Sequence, residues 1–82
     1  MGSIRVNVRL FATLRRFFPH YDPEKGIEVK VAEGSTVEGL IQTLQLPKDE
    51  ARVILINGKS KNLMDTIMDG DQVNIFTPLG GG

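Results

Sequence analysis

Ser35-Thr36-Val37-Glu38-Gly39-Leu40-Ile41-Gln42-Thr43-Leu44 is the stretch on which the fold of this chain turns. Val37, Leu40, Ile41 and Leu44 stand at i, i+3, i+4 and i+7, one apolar stripe down the side of a helix. Ahead of the stripe, Ser35-Thr36-Val37-Glu38 reads as a capping box. In it the Ser35 hydroxyl accepts from the backbone N–H three residues on, and Glu38 reaches back. Gly39 weakens a helix interior by about 1 kcal/mol relative to alanine, so its presence predicts close packing there. Pro47 marks the exit.

On the N-terminal side, Ile27, Val29 and Val31 alternate with Glu28 and Lys30, the period of a half-buried strand. Further back the alternation is strict from Ile4 to Leu10, with Ile4, Val6, Val8 and Leu10 on one face. Phe11, Leu14, Phe17 and Phe18 then recur at helical spacing, which predicts a short helix over Ala12 to Phe17 stopped by Pro19. His20 to Gly26 reads as a loop, and the two flanking strands form a hairpin with a long connection.

On the C-terminal side, Val53-Ile54-Leu55-Ile56 is a continuous apolar run, suited to a strand buried on both faces. Asn57-Gly58 is a tight-turn dipeptide. Leu63 to Met68 is irregular, with Leu63 and Ile67 expected to tuck inward. Asp69-Gly70-Asp71 is a turn, Gln72 to Phe76 alternates as a last strand, and Pro78 ends it because it cannot donate to a sheet ladder. Two strands, a helix and two more strands describe an α+β chain of the β-grasp type: a mixed sheet of about four to five strands packed on one main helix. The domain runs over residues 1–76, and residues 77–82 form a flexible glycine tail.

Eighty-two residues make one domain. The absence of cysteine removes disulfides, thiolate metal sites and thiol nucleophiles, and fits a reducing compartment. No apolar run approaches the ~20 residues that span a bilayer. Met1-Gly2-Ser3 leads into Ile4 rather than into a signal peptide, so the expected location is cytoplasmic, away from membranes. Ten basic and ten acidic side chains cancel, which argues against a nucleic-acid-binding surface. They are unevenly spread. Arg5, Arg9, Arg15 and Arg16 open the chain without an acid, and Asp65, Asp69 and Asp71 close it without a base. These are either solvated faces of a neutral domain or two patches that meet protein partners.

An ordinary active site does not emerge. His20 sits in a Pro/Tyr/Asp loop, and Ser3, Ser35 and Ser60 lack a nucleophile motif. The three late aspartates lack the ligand spacing of a cation loop, and Asn57-Gly58-Lys59 lacks the glycine-rich cradle of a phosphate loop. The sequence therefore predicts no metal and no enzyme acting alone. What remains is Thr77-Pro78-Leu79-Gly80-Gly81-Gly82. Glycine has no side chain, so the run is thin and flexible. Six extended residues reach about 20 Å, enough to carry a terminal carboxylate into a narrow channel of another protein. The alternative is an idle, frayed end.

At this point the chain resembles the ubiquitin-like sulfur carriers, in particular the small subunit of molybdopterin synthase and the thiamine-pathway carrier. Four segments carry the likeness: Val8 to Arg15, Glu33-Gly34-Ser35-Thr36-Val37, Ile56-Asn57-Gly58, and Asp69 through Pro78 into the tail. The Phe-Ala-x-Leu-Arg opening looks more like the molybdopterin branch. Gly80 departs from the family, which has a non-glycine residue before its final two glycines. The resemblance implies that the Gly82 carboxylate is the reacting group. A ubiquitin-activating-type adenylating enzyme, using ATP and Mg²⁺, would adenylate it, and a sulfur donor would convert it to a thiocarboxylate. A synthase large subunit would then receive the tail. No cofactor is bound by the carrier itself. Gly80 and Gly81 give slenderness, Pro78 leads the strand into the tail, and Phe76 and Leu79 are candidates for apolar docking. For Phe76 a place in the sheet core is the other reading. The same activated carboxylate would also serve a protein modifier joined to lysines.

Overall fold

The alternating segments become strands in the computed structural model, which describes residues 2–77. They are β1, Ser3–Leu10; β2, Ile27–Ala32; β3, Val53–Ile56; β4, Lys59–Lys61; and β5, Gln72–Phe76. Among the described residues one α-helix, α1, spans Val37–Thr43, and a 3₁₀ helix spans Ala12–Phe17. The sheet order is β2-β1-β5-β3-β4. β1 pairs antiparallel with β2 and parallel with β5, so the first and last strands lie side by side in the middle. Strand β4 was not read from the sequence. It is the return arm of the hairpin that Asn57-Gly58 closes, both residues having positive φ (52° and 84°), as the twist-matched two-residue turn requires.

One face of the sheet buries Ile4, Val6, Val8 and Leu10 of β1, Val29 and Val31 of β2, Ile54 and Ile56 of β3, and Val73 and Ile75 of β5. Onto it the helix lays the stripe read from the sequence, Val37, Leu40, Ile41 and Leu44, all buried. Each such aliphatic side chain contributes about 1.5–3 kcal/mol by leaving water. Leu14 fills the space under the 3₁₀ helix, with Phe17 and Phe18 partly buried against the same core.

Several expectations are corrected. The N-cap of α1 is Thr36, whose Oγ1 accepts from the Gly39 N–H at 3.2 Å. Ser35 instead donates its hydroxyl to the Ala32 carbonyl at 2.7 Å, closing the turn after β2. Glu38 does not reach back either; its carboxylate meets Lys48 at 2.8 Å. The other early N–H groups of the helix, which have no partner inside it, are taken by a distant segment: Val37 donates to the Asp65 carbonyl and Glu38 to the Leu63 carbonyl. At the far end Gln45 takes φ 58°, and Leu46 N–H donates back to the Ile41 carbonyl, a Schellman closure with an apolar pair at its ends.

Strand β3 is buried on one face only. Val53 is 43% exposed and Leu55 half-buried, because β-grasp packing here covers one side of the sheet. Ile67 tucks inward as expected, but Leu63 does not; it is 36% exposed while its backbone carbonyl serves the helix start.

Gly39 has no close-packing reason. A Cβ built there would meet only the Thr36 hydroxyl oxygen, at an ordinary 3.7 Å. Gly39→Ala is therefore expected to stabilise the domain by about 0.5–1 kcal/mol. That corresponds to a rise of several degrees in Tm for a chain this small. A lower Tm in thermal unfolding would mean that the helix start is tighter than the geometry indicates.

Candidate functional site

Strand β5 leads directly to the tail, so its last residues set where any tail would leave the domain. Because β5 sits between β1 and β3, that point lies at the middle of the sheet and not at an edge. Phe76, the last residue of β5, pairs with Val53 of β3. On the other side Phe11 N–H donates to the Ile75 carbonyl at 3.1 Å, extending the β1–β5 pairing by one residue. Leu10 faces the core, so Phe11 faces away from it. The rings of Phe11 and Phe76 consequently meet in a stacked pair, 4.4 Å between centroids and 11° between planes.

The result is an apolar rim on the outer face, made of Phe11, Phe76 and Val53 with Leu55 one step further in. Phe76 is half-buried on the outer face and is not part of the core, which corrects the reading that placed it there. Phe11 and Val53 were missed. Helical spacing hid the first and an all-apolar run hid the second. The Asn-Gly hairpin and the alternation of β5 were the available signals. Pro78, Leu79, Gly80, Gly81 and Gly82 lie outside the described residues, and the expected mobility of the tail lies there with them.

The remaining candidates have local tasks. His20 is exposed in its loop. Asp65 accepts from Asn62 N–H at 2.7 Å and Asp69 from Arg5 N–H at 2.9 Å. Asp71, 9% exposed, accepts from Met68 N–H at 2.8 Å and from the Asn57 side-chain amide at 2.9 Å. It thereby ties the β3–β4 turn to the start of β5. Among the described residues, no three acidic or histidine side chains are grouped to hold a metal ion. The N-terminal arginines are also engaged. Arg5 lies 3.8 Å from Glu28, Arg9 donates to the Glu24 carbonyl, Arg15 to the Leu10 carbonyl, and Arg16 meets Glu50 at 2.8 Å. Arg5 and Arg9 stand on β1 and Arg15 and Arg16 on the 3₁₀ helix, each with its own partner. A surface groove beside β3 is lined by Lys48, Asp49, Arg52, Lys61 and Met64, without a histidine, serine or other nucleophile–base pair. Among the described residues, no helix is long and apolar enough to cross a membrane.

A five-stranded mixed sheet with a parallel central pair, one helix across it and the exit strand in the middle defines a ubiquitin-like β-grasp domain. Within that class the chain belongs to the Mut7-C ubiquitin family, whose model matches residues 3–79. No curated protein sequence matches the chain.

Solved structures share the fold over nearly its whole length. The HVO 2177 protein of Haloferax volcanii is 24% identical with a TM-score of 0.77, the match covering 99% of this chain and 89% of that one. A putative molybdopterin converting factor subunit 1 from Pyrococcus furiosus is 26% identical with a TM-score of 0.73, covering 93% and 99%. The small archaeal modifier protein 1 of H. volcanii is 20% identical with a TM-score of 0.73, covering 93% and 99%.

Proposed function

We propose that this protein is a sulfur carrier whose reacting group is the Gly82 carboxylate. The observation that supports this best is the position of β5. A central strand ending at the Phe11–Phe76–Val53 rim would let the Thr77–Gly82 segment start beside an apolar feature of the outer face. A partner that grips the rim therefore fixes the origin of the tail. The similarity to a putative molybdopterin converting factor subunit supports the same reading.

A carboxylate is a poor electrophile at neutral pH. A ubiquitin-activating-type enzyme would let the Gly82 oxygen attack the α-phosphorus of its Mg²⁺-bound ATP, releasing pyrophosphate. A sulfur donor then displaces AMP and leaves a thiocarboxylate. In the finer form of the proposal a synthase large subunit accepts the tail and moves the sulfur onto a molybdopterin precursor. The carrier contributes no catalytic side chain. Phe76 and Leu79 dock, Pro78 sets the strand exit, and Gly80 and Gly81 keep the thread narrow.

A second reading, a protein modifier joined to lysines through Gly82, gains support from the likeness to the small archaeal modifier protein 1. Incubation with an activating enzyme, ATP and sulfide, followed by intact-mass measurement, separates the two. Replacement of one oxygen by sulfur on the carrier is the expected result. Isopeptide adducts without any thiocarboxylate would favour the modifier, and neither product would remove both.

A further inference from the structure

Strand β2 is one edge of the sheet, and its free side carries a pattern that fits a second copy of itself. The hydrogen-bond phase is set at its end, where Glu33 N–H donates to the Gly2 carbonyl at 3.0 Å. In an antiparallel pair the bonded partners recur every second residue. Val31 with Ile4, Val29 with Val6 and Ile27 with Val8 are therefore the bonded pairs in the observed register. The other side of β1 agrees, since Asn7 N–H and the Arg5 carbonyl bond toward β5. It follows that Glu28 and Lys30 turn their backbone N–H and C=O groups outward, where, among the described residues, the sheet has no neighbouring strand. Their side chains are exposed.

Two identical strands pairing antiparallel about a two-fold axis can meet in only a few registers that align these outward groups. An axis at Glu28 opposes two glutamates, and an axis at Lys30 opposes two lysines; like charges opposite one another are unfavourable. An axis at Val31 sets Lys30 against Ala32, whose carbonyl is already bonded to Ser35. An axis at Val29 sets Glu28 against Lys30 twice, on the same face and at bonded positions. In that register Ile27 lies opposite Val31 of the second copy and Val29 opposite Val29. This covers the side of the core that is left slightly open, with Val29 and Val31 each 8% exposed and Ile27 only partly buried. The contact is isologous, so it closes at two.

We propose that β2 is a self-complementary edge through which two copies join into one ten-stranded sheet, with the Glu28–Lys30 pairs fixing the register. The rim is built from the ends of β5 and β1 and the start of β3 and uses no residue of β2. The contact is small, so the dimer is weak and reversible.

Sedimentation of the full chain over a concentration series is the test. A monomer–dimer equilibrium is expected for the parent. Lys30→Glu opposes like charges and should leave a monomer. The double exchange E28K/K30E restores opposite charges in the same register and should restore the dimer. Lys30→Pro removes only an outward N–H and should also give a monomer, with circular dichroism reporting the fold of each variant. A parent that stays monomeric throughout, or a dimer that Lys30→Glu leaves unchanged, overturns the proposal. So does a double exchange that remains monomeric while folded.

Discussion

Adding one alanine beyond Gly82 is expected to abolish sulfur loading while leaving the fold untouched. Chain length sets the outcome. Strand β5 ends at Phe76, and in the proposed function the distance from there to the Gly82 carboxyl is set by the number of residues between them. One more residue moves the carboxylate by up to ~3.5 Å. A displacement of that size at a reacting centre costs a factor of ~100 or more, because the geometry of attack on the nucleotide is lost. Two substitutions bracket the result. Gly81→Val should be severe, since a β-branched side chain stiffens and widens the thread where a channel would be narrowest. Gly80→Ala should be partly tolerated, because this position already departs from the sulfur-carrier pattern. Thiocarboxylate yield by intact mass, with thermal unfolding as the control, reads all three. An extended chain that loads as well as the parent would show that the Gly82 carboxylate is not the reacting group.

The largest expected loss of stability lies far from the tail, at Gly26. Its φ is +70°, in the left-handed region, and a Cβ there would stand 2.7 Å from the Asn7 side-chain oxygen and 2.9 Å from the Val8 carbonyl oxygen. The second contact is backbone of the central part of β1 and cannot swing aside. The first is also held, because the Asn7 amide donates to the Lys25 carbonyl at 2.8 Å. Left-handed backbone costs a residue with a Cβ about 1–2 kcal/mol, and the clash adds to it. Gly26→Ala should therefore lose about 2–4 kcal/mol, lowering Tm by ~10 °C or more in a domain of this size. Gly34→Ala makes the comparison informative: φ is +88° but nothing lies within 4 Å of the added carbon. It should cost only the backbone contribution. Equal losses at the two positions in thermal unfolding would show that the contact with β1 is not felt.

Much of the fold was legible because its signals are local. The alternation of Ile4 to Leu10, the stripe from Val37 to Leu44 and the glycine-rich end are properties of neighbouring residues, and the two periods belong to strand and helix whatever surrounds them. Gln72 to Phe76 likewise announced a strand, and the order of the elements announced a sheet on one helix. The tail as the candidate reacting segment came from the resemblance to the sulfur carriers, since a terminal glycine run by itself reads either as a thin thread or as an idle end.

What only the tertiary structure decided depends on residues far apart in the chain. Thr36 caps the helix, and not Ser35, because the Ser35 carbonyl is taken by Ile67 N–H and its hydroxyl by Ala32. Val53 faces outward because the apolar run supplies one more aliphatic face than the single helix can cover. Phe11 joins Phe76 because the first and last strands run parallel at the centre of the sheet. No local pattern records a pairing across sixty-five residues. The sequence alone determined β1, β2, β3, β5 and the helix; the return strand β4, which strand lies beside which, and so where the apolar rim forms, came from closing one core around all of them.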